Sequence, residues 1–191
     1  MGFERIASEA IWQGHIGGVR VDTFRYDDGS EATREIVSHP GAVTVLPFDG
    51  EHIWLVRQPR EPVGEQALLE LPAGKIERPS KGGTAPLCNP PSGEDLEATA
   101  RRELAEEIGK GANDWRHLVS FYNSPGLLAE ENHLFLAQDL YEETRESEEE
   151  EERIEIVPLK LDRLDETIGR LRDAKTLIGL LWFRSYLRDG A

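Results

Sequence analysis

The sequence predicts an α/β fold, a mixed sheet with helices packed against it, preceded by a small N-terminal antiparallel β appendage. Three observations carry this reading. Runs of alternating apolar and polar residues, divided by Gly, Asp and Pro turn signals, fill residues 17–71. Leu96, Ala100, Leu104 and Ile108 then recur at helical spacing. Two further helical stretches, at about 162–171 and 174–188, close the chain. The second is rich in Leu, Ile and aromatic residues, and no internal repeat is visible.

The elements follow in order. Residues 17–26 alternate, and Asp-Asp-Gly-Ser (27–30) is a hairpin turn signal, so 34–39 is the returning strand. Residues 42–48 and 52–58, joined by Asp-Gly (49–50), read as a second and more deeply buried hairpin. The strand at 67–71 ends in the Pro-Ala-Gly turn of 72–74. Residues 78–92 are rich in Pro, Gly and Ser and read as an inserted surface loop. Ser92 and Asp95 form a capping-box pattern that starts a helix at about residue 93, and Gly109 stops it. Strands at 115–122, 133–138 and 153–159 complete the set.

Composition bounds the function. A length of 191 residues fits one domain with a small appendage. No apolar stretch approaches the ~18 residues of a membrane span, and no signal-peptide pattern opens the chain, so a soluble, cytoplasmic protein without a membrane partner is expected. Cys88 is the only cysteine, which leaves no intrachain disulfide. The net charge of −15 argues against general nucleic-acid binding. An anionic substrate then needs a metal ion and a few placed arginines.

Glu103, Glu106 and Glu107 stand at i, i+3 and i+4 on the first helix and so share one face. Three carboxylates at that spacing repel one another unless a cation neutralises them, and hard oxygen donors suit Mg²⁺ or Mn²⁺. On an arbitrary Glu-rich helix the same pattern would be a solvated face. The setting favours the metal. A strand, the Gly74 turn, Glu94 and Arg-Glu-Leu-Ala-Glu-Glu-Ile-Gly (102–109) follow in that order.

That order resembles the Nudix box of the Nudix hydrolases, with Glu94 and Arg102 separated by the seven residues the box requires. Two departures stand out. Gly74 and Glu94 are separated by 19 residues instead of five, the excess lying in the 78–92 loop, and Lys110 takes the final apolar position. The resemblance implies a Nudix α/β/α sandwich over residues 41–191, with residues 1–40 as the appendage for dimerisation and substrate. It also implies that Glu103, Glu106 and Glu107 bind the metal with the Ala73 carbonyl, and that Arg102 holds the glutamates in place. Pro125, which lies 16 residues beyond Gly109 in Ser-Pro-Gly (124–126), resembles the ADP-ribose pyrophosphatase branch. So do the N-terminal hairpin, residues 34–43 and Val-Arg-Gln-Pro-Arg (56–60).

Within that branch the implied roles are specific. A glutamate from 142–152 serves as base and metal ligand, with Glu152 first by register and Glu150 next; the alternative is a solvated acidic run. Arg60 matches a diphosphate-binding arginine, with Arg57 beside it, and a planar fork suits phosphate oxygens. Glu70 resembles a residue of the ribose or metal shell, or else pairs with an arginine. Glu35 and His39 match positions facing adenosine across a homodimer that exchanges N-terminal strands. Pro125 and Gly126 fall at the substrate. Arg34 falls where a stacking ring is expected, with Trp12 as another candidate, so base preference stays open. The implied activity is Mg²⁺-dependent hydrolysis of ADP-ribose to AMP and ribose 5-phosphate. The alternatives are another nucleoside diphosphate sugar such as ADP-glucose or GDP-mannose, a nucleoside triphosphate, or a nucleotide-sensing module without catalysis.

Overall fold

The computed structural model describes residues 2–14, 17–76, 93–144 and 153–188. They fall into two compact units, residues 2–41 with 121–131, and residues 42–76, 93–120 and 132–188. The predicted 78–92 loop, Cys88, the Ser92 cap, and Glu150 and Glu152 lie outside the described residues.

The first unit is one sheet in the order β1 (Phe3–Gln13), β2 (Gly18–Tyr26), β3 (Glu31–Ser38), β9 (Leu128–Ala129). The predicted hairpin is β2–β3, in antiparallel register from Gly18↔Ser38 to Arg25↔Glu31. Its turn closes with the Tyr26 N–H donating to the Ser30 carbonyl (2.9 Å), and Gly29 takes φ +84°, which a side chain would resist. β1 pairs antiparallel to β2 along its length, yet its own sequence has no clean alternation, because almost none of its residues is buried. Phe3 and Trp12 are 68% and 61% exposed. Asp22 is the buried charge of this sheet. Burial pushes its carboxyl up, but hydrogen bonds from Ser8 Oγ (2.6 Å) and Arg20 Nε (2.9 Å), with Arg5 nearby, outweigh that and hold it below its usual range.

The second unit contains two sheets. One has the order β7 (Ala73–Lys75), β4 (Ala42–Pro47), β10 (Glu131–Glu142), β8 (Lys110–Tyr122). β4 runs parallel to β10 and antiparallel to β7, so this sheet is mixed. The other is antiparallel, in the order β11 (Glu155–Lys160), β5 (His52–Arg60), β6 (Glu65–Glu70).

This corrects the expected second hairpin. The turn itself forms, since the Asp49 carboxylate accepts the N–H groups of Glu51 (2.9 Å) and His52 (2.7 Å) and the Trp54 indole N–H (2.8 Å). After a single bridge, Phe48↔Ile53, the strands part into different sheets. All six residues of β4 are buried, and a strand apolar on both faces belongs at the centre of a sheet covered by helices.

Alternation along β4 and β10 assigns the two faces. Val43, Val45, Phe135 and Ala137 pack with Leu96, Ala100, Leu104 and Ile108 of α1 (Gly93–Ile108). Each buried α1 leucine or isoleucine contributes roughly 1.5–3 kcal/mol. On the other face, Gly179 of α3 (Ala174–Arg188) lies against Leu71 and Leu134, where an added Cβ would press on the leucine methyls. Phe183 meets Phe48 edge-on at 4.8 Å. Helices therefore cover both faces, the predicted α/β/α arrangement. α1 ends at Gly109, whose φ of +66° turns the chain out of the helix. The helix expected at 162–171 is shorter, a 3-10 turn over Leu161–Arg163 followed by α2 (Leu164–Ile168). Among the described residues no helix is long and apolar enough to cross a membrane.

Candidate active site

The face of α1 next to its core stripe carries the acidic residues, but they do not share one environment. Glu103 and Glu107 are buried, 8% and 6% exposed, one helical turn apart. Glu106 is half-buried, and its Oε2 accepts Arg102 Nη1 at 2.5 Å. Arg102 Nη2 reaches Glu103 Oε1 at 2.7 Å, so one guanidinium spans both carboxylates. Among the described residues no three acidic, His or Cys side chains converge closely enough to hold an ion. The i+3 position lies on the outer side of the stripe, where Arg102 takes Glu106.

The β6–β7 turn meets these carboxylates. Ala73 N–H donates to Glu107 Oε2 at 3.2 Å, and β7 is pinned to β4 through Thr44↔Ala73 and Val43↔Gly74. A Cβ at Gly74 would overlap the Glu103 carboxylate, so glycine is required for strand and helix to approach here. Burial, then repulsion from Glu103, pushes the Glu107 carboxyl up to about 8, against the opposing pull of the Ala73 N–H and Arg60. Two buried carboxylates one helical turn apart, beside a backbone turn, make a donor set that fits a divalent ion.

Behind this pair the fold completes a different arrangement. Glu70 is fully buried and takes Arg60 in a two-point pair, Nε–Oε1 2.6 Å and Nη2–Oε2 3.0 Å. Lys175 Nζ contacts the same Glu70 Oε2 and also Asp173 Oδ1 (2.8 Å). Asp173 caps α3 by accepting Thr176 N–H (2.9 Å), and Thr176 Oγ1 accepts the Leu71 N–H (2.7 Å). Asp173 and Lys175 were not singled out from the sequence. The Asp-Ala-Lys-Thr (173–176) helix start was legible as a cap, but the partner of Lys175 lies 105 residues away. Arg57 pairs with Glu155 across β5–β11 at 2.7 Å, directed along that sheet. Lys110, at the last position of the box, lies 4.3 Å from the Trp54 ring centre and pairs with Glu142.

The first unit holds a pocket of about 340 Å³ lined by Phe3, Phe24, Tyr26, Arg34, Pro125 and Gly126, among others. Arg34 Nη2 donates to Tyr26 Oη (3.2 Å), and Phe3 stands edge-on to Phe24 (5.4 Å). Ser124 carbonyl accepts the Leu127 and Leu128 N–H groups, which forms the Ser-Pro-Gly turn at its rim. Glu35 is exposed on the opposite face of β3 from Arg34 and Ile36 and does not line this pocket. His39 Nδ1 accepts the Gly41 N–H (3.2 Å) and lies 3.7 Å from Glu130. Trp12 is not among the lining residues either; its ring covers Gly14.

The model of the NUDIX domain family matches residues 38–177. The chain belongs to the Nudix family. It is 38% identical to an ADP-ribose pyrophosphatase of Bacillus subtilis (strain 168), over 94% of this chain and 91% of that one. It is 35% identical to a methanol dehydrogenase activator of Bacillus methanolicus, with the same two coverages, 94% and 91%. A solved ADP compounds hydrolase superposes with a TM-score of 0.78 over 99% of this chain and 96% of that one, at 22% identity, which speaks for the fold alone. The protein is thus a Nudix hydrolase, and Nudix hydrolases generally require a divalent metal.

Proposed function

We propose that this Nudix hydrolase is a Mg²⁺-dependent ADP-ribose diphosphatase, releasing AMP and ribose 5-phosphate. Diphosphatase action on a nucleotide or nucleotide sugar follows from the family and its relatives. The observation that carries the chemistry is the buried Glu103–Glu107 pair against the Ala73–Gly74 turn. A divalent ion held there by both carboxylates, with the Ala73 carbonyl as a further donor, would neutralise phosphate charge and lower the pKa of a bound water. Water adds to one phosphorus and the bond from that phosphorus to the bridging oxygen breaks. The bridging oxygen leaves on the other phosphate, and the proton of the water passes to a base. Glu152 is assigned that base by register, with Glu150 as the alternative. Arg102 holds Glu103 and Glu106, and the exposed edge of Arg60 presents positive charge to the diphosphate.

ADP-ribose is supported by the B. subtilis relative and by the aromatic pocket of the first unit, which suits a nucleoside. A homodimer that exchanges N-terminal strands, bringing Glu35 and His39 toward the partner's nucleoside, is supported by the exposed apolar residues of the edge strand β1. One observation favours a second reading. A guanidinium, that of Arg34, stands in the pocket where a stacking ring would favour adenine, so GDP-mannose or ADP-glucose competes.

The test is hydrolysis of ADP-ribose, ADP-glucose, GDP-mannose, NADH and ATP with Mg²⁺ or Mn²⁺, beside Glu107→Gln. Release of AMP from ADP-ribose ahead of the rest, abolished in the variant, is the expected result. Preference for GDP-mannose or ADP-glucose moves the substrate and keeps the chemistry. Tight nucleotide binding with no turnover refutes the proposal.

A further inference from the structure

We infer that Lys175, at the start of α3, is a positioning residue for diphosphate recognition, acting through Glu70 on Arg60. This rests on the proposed diphosphatase reading. Glu70 has no access to solvent, so its charge must be balanced inside the protein. Arg60 does so with both Nε and Nη2, while its side chain stays 39% exposed. Lys175 is the second cation on Glu70, and it also faces Asp173. Two anions, Glu70 and Asp173, are thereby matched by two cations, Lys175 and Arg60.

Without Lys175 the same cluster carries a net negative charge, and Arg60 becomes the only strong partner of a buried carboxylate. Its guanidinium would then neutralise Glu70 in place of a phosphate. With Lys175 present, Glu70 fixes the plane of the Arg60 fork and the positive potential remains directed outward. Glu107 feels the same guanidinium, since Arg60 opposes the rise of its pKa. Anchoring is double at this point, because the next backbone N–H, that of Leu71, is held by Thr176 of the same helical turn.

The experiment is a double-mutant cycle, Lys175→Met against Glu70→Gln, read as the Kd of ADP-ribose by calorimetry in EDTA, where no metal contributes. GDP-mannose is run beside it. Lys175→Met should weaken binding about tenfold in the wild-type background and at most about twofold when Glu70 is already neutral. With Mg²⁺ present, KM should rise by about the same factor with kcat little changed, and Lys175→Arg should restore most of the affinity. Equal losses in both backgrounds, or wild-type affinity in a folded Lys175→Met protein, would overturn the inference. If Lys175→Met loses its cooperative unfolding transition, Lys175→Gln carries the same cycle with the same two readings. A wild type that binds neither ligand refutes the diphosphatase reading instead, and the inference with it.

Discussion

Glu70 and Glu107 sit in one unit, both shielded from water, yet the fold treats them oppositely. Glu70 receives two cations, Arg60 and Lys175, from strand β5 and helix α3. Glu107 faces a like-charged neighbour, Glu103, and burial, then that repulsion, pushes its carboxyl up to about 8 against the pull of the Ala73 N–H and Arg60. A completed ion pair is architecture. A buried carboxylate left short of positive charge is a site prepared for something the chain does not itself contain.

Substituting each residue should therefore separate the two. Glu107→Gln should lower turnover about 10³-fold or more while raising the Tm of the metal-free protein, since an amide carries no proton cost. A fall in both would break the contrast. Glu70→Gln should do the reverse in stability, costing about 3 kcal/mol by leaving Arg60 and Lys175 without their shared anion, as measured by urea unfolding. Next comes Gly74→Ala, where the new methyl displaces the Glu103 carboxylate; activity should drop about 10²-fold with the unfolding midpoint nearly unchanged.

The last contrast is in pH. Because the folded carboxyl of Glu107 titrates above its unfolded value of 4.5, it binds its proton more tightly in the folded state. That contribution is complete below about pH 4.5 and is lost as pH rises toward 8. Thermal unfolding in EDTA at pH 5 and pH 8 should show it, Mg²⁺ should offset it, and Glu107→Gln should lack it. A flat profile in the wild-type protein would mean that Glu107 is not the strained carboxylate of the pair.

How far the sequence reveals this depends on the range of the interaction. α1 was readable to within a residue or two, since its apolar stripe and its glycine stop are local. The β2–β3 hairpin was readable for the same reason. The fate of β4 was not, because the Asp49 turn looks the same whether the following strand pairs back or leaves for another sheet. Its near-continuous apolar run was the available clue. At the site, the proximity of Glu103 and Glu107 follows from helical spacing alone. The diversion of Glu106 to Arg102 does not, since an i−3 neighbour, Glu103, and an i−4 neighbour, Arg102, compete and only packing decides between them. Lys175 was invisible because nothing local in 173–176 points to Glu70.

Lys110 carries a lesson about reading such chains. The position is commonly filled by an apolar side chain, and a lysine there looks like a flaw until Trp54 is seen beneath its ammonium. What the position demands is a cover for an indole, which a methylene stem with a charged tip provides as well as a leucine would. Residues 54 and 110 are therefore coupled through one contact. In a descendant where the indole is lost, the lysine loses its reason to stay, and the two sites should drift together.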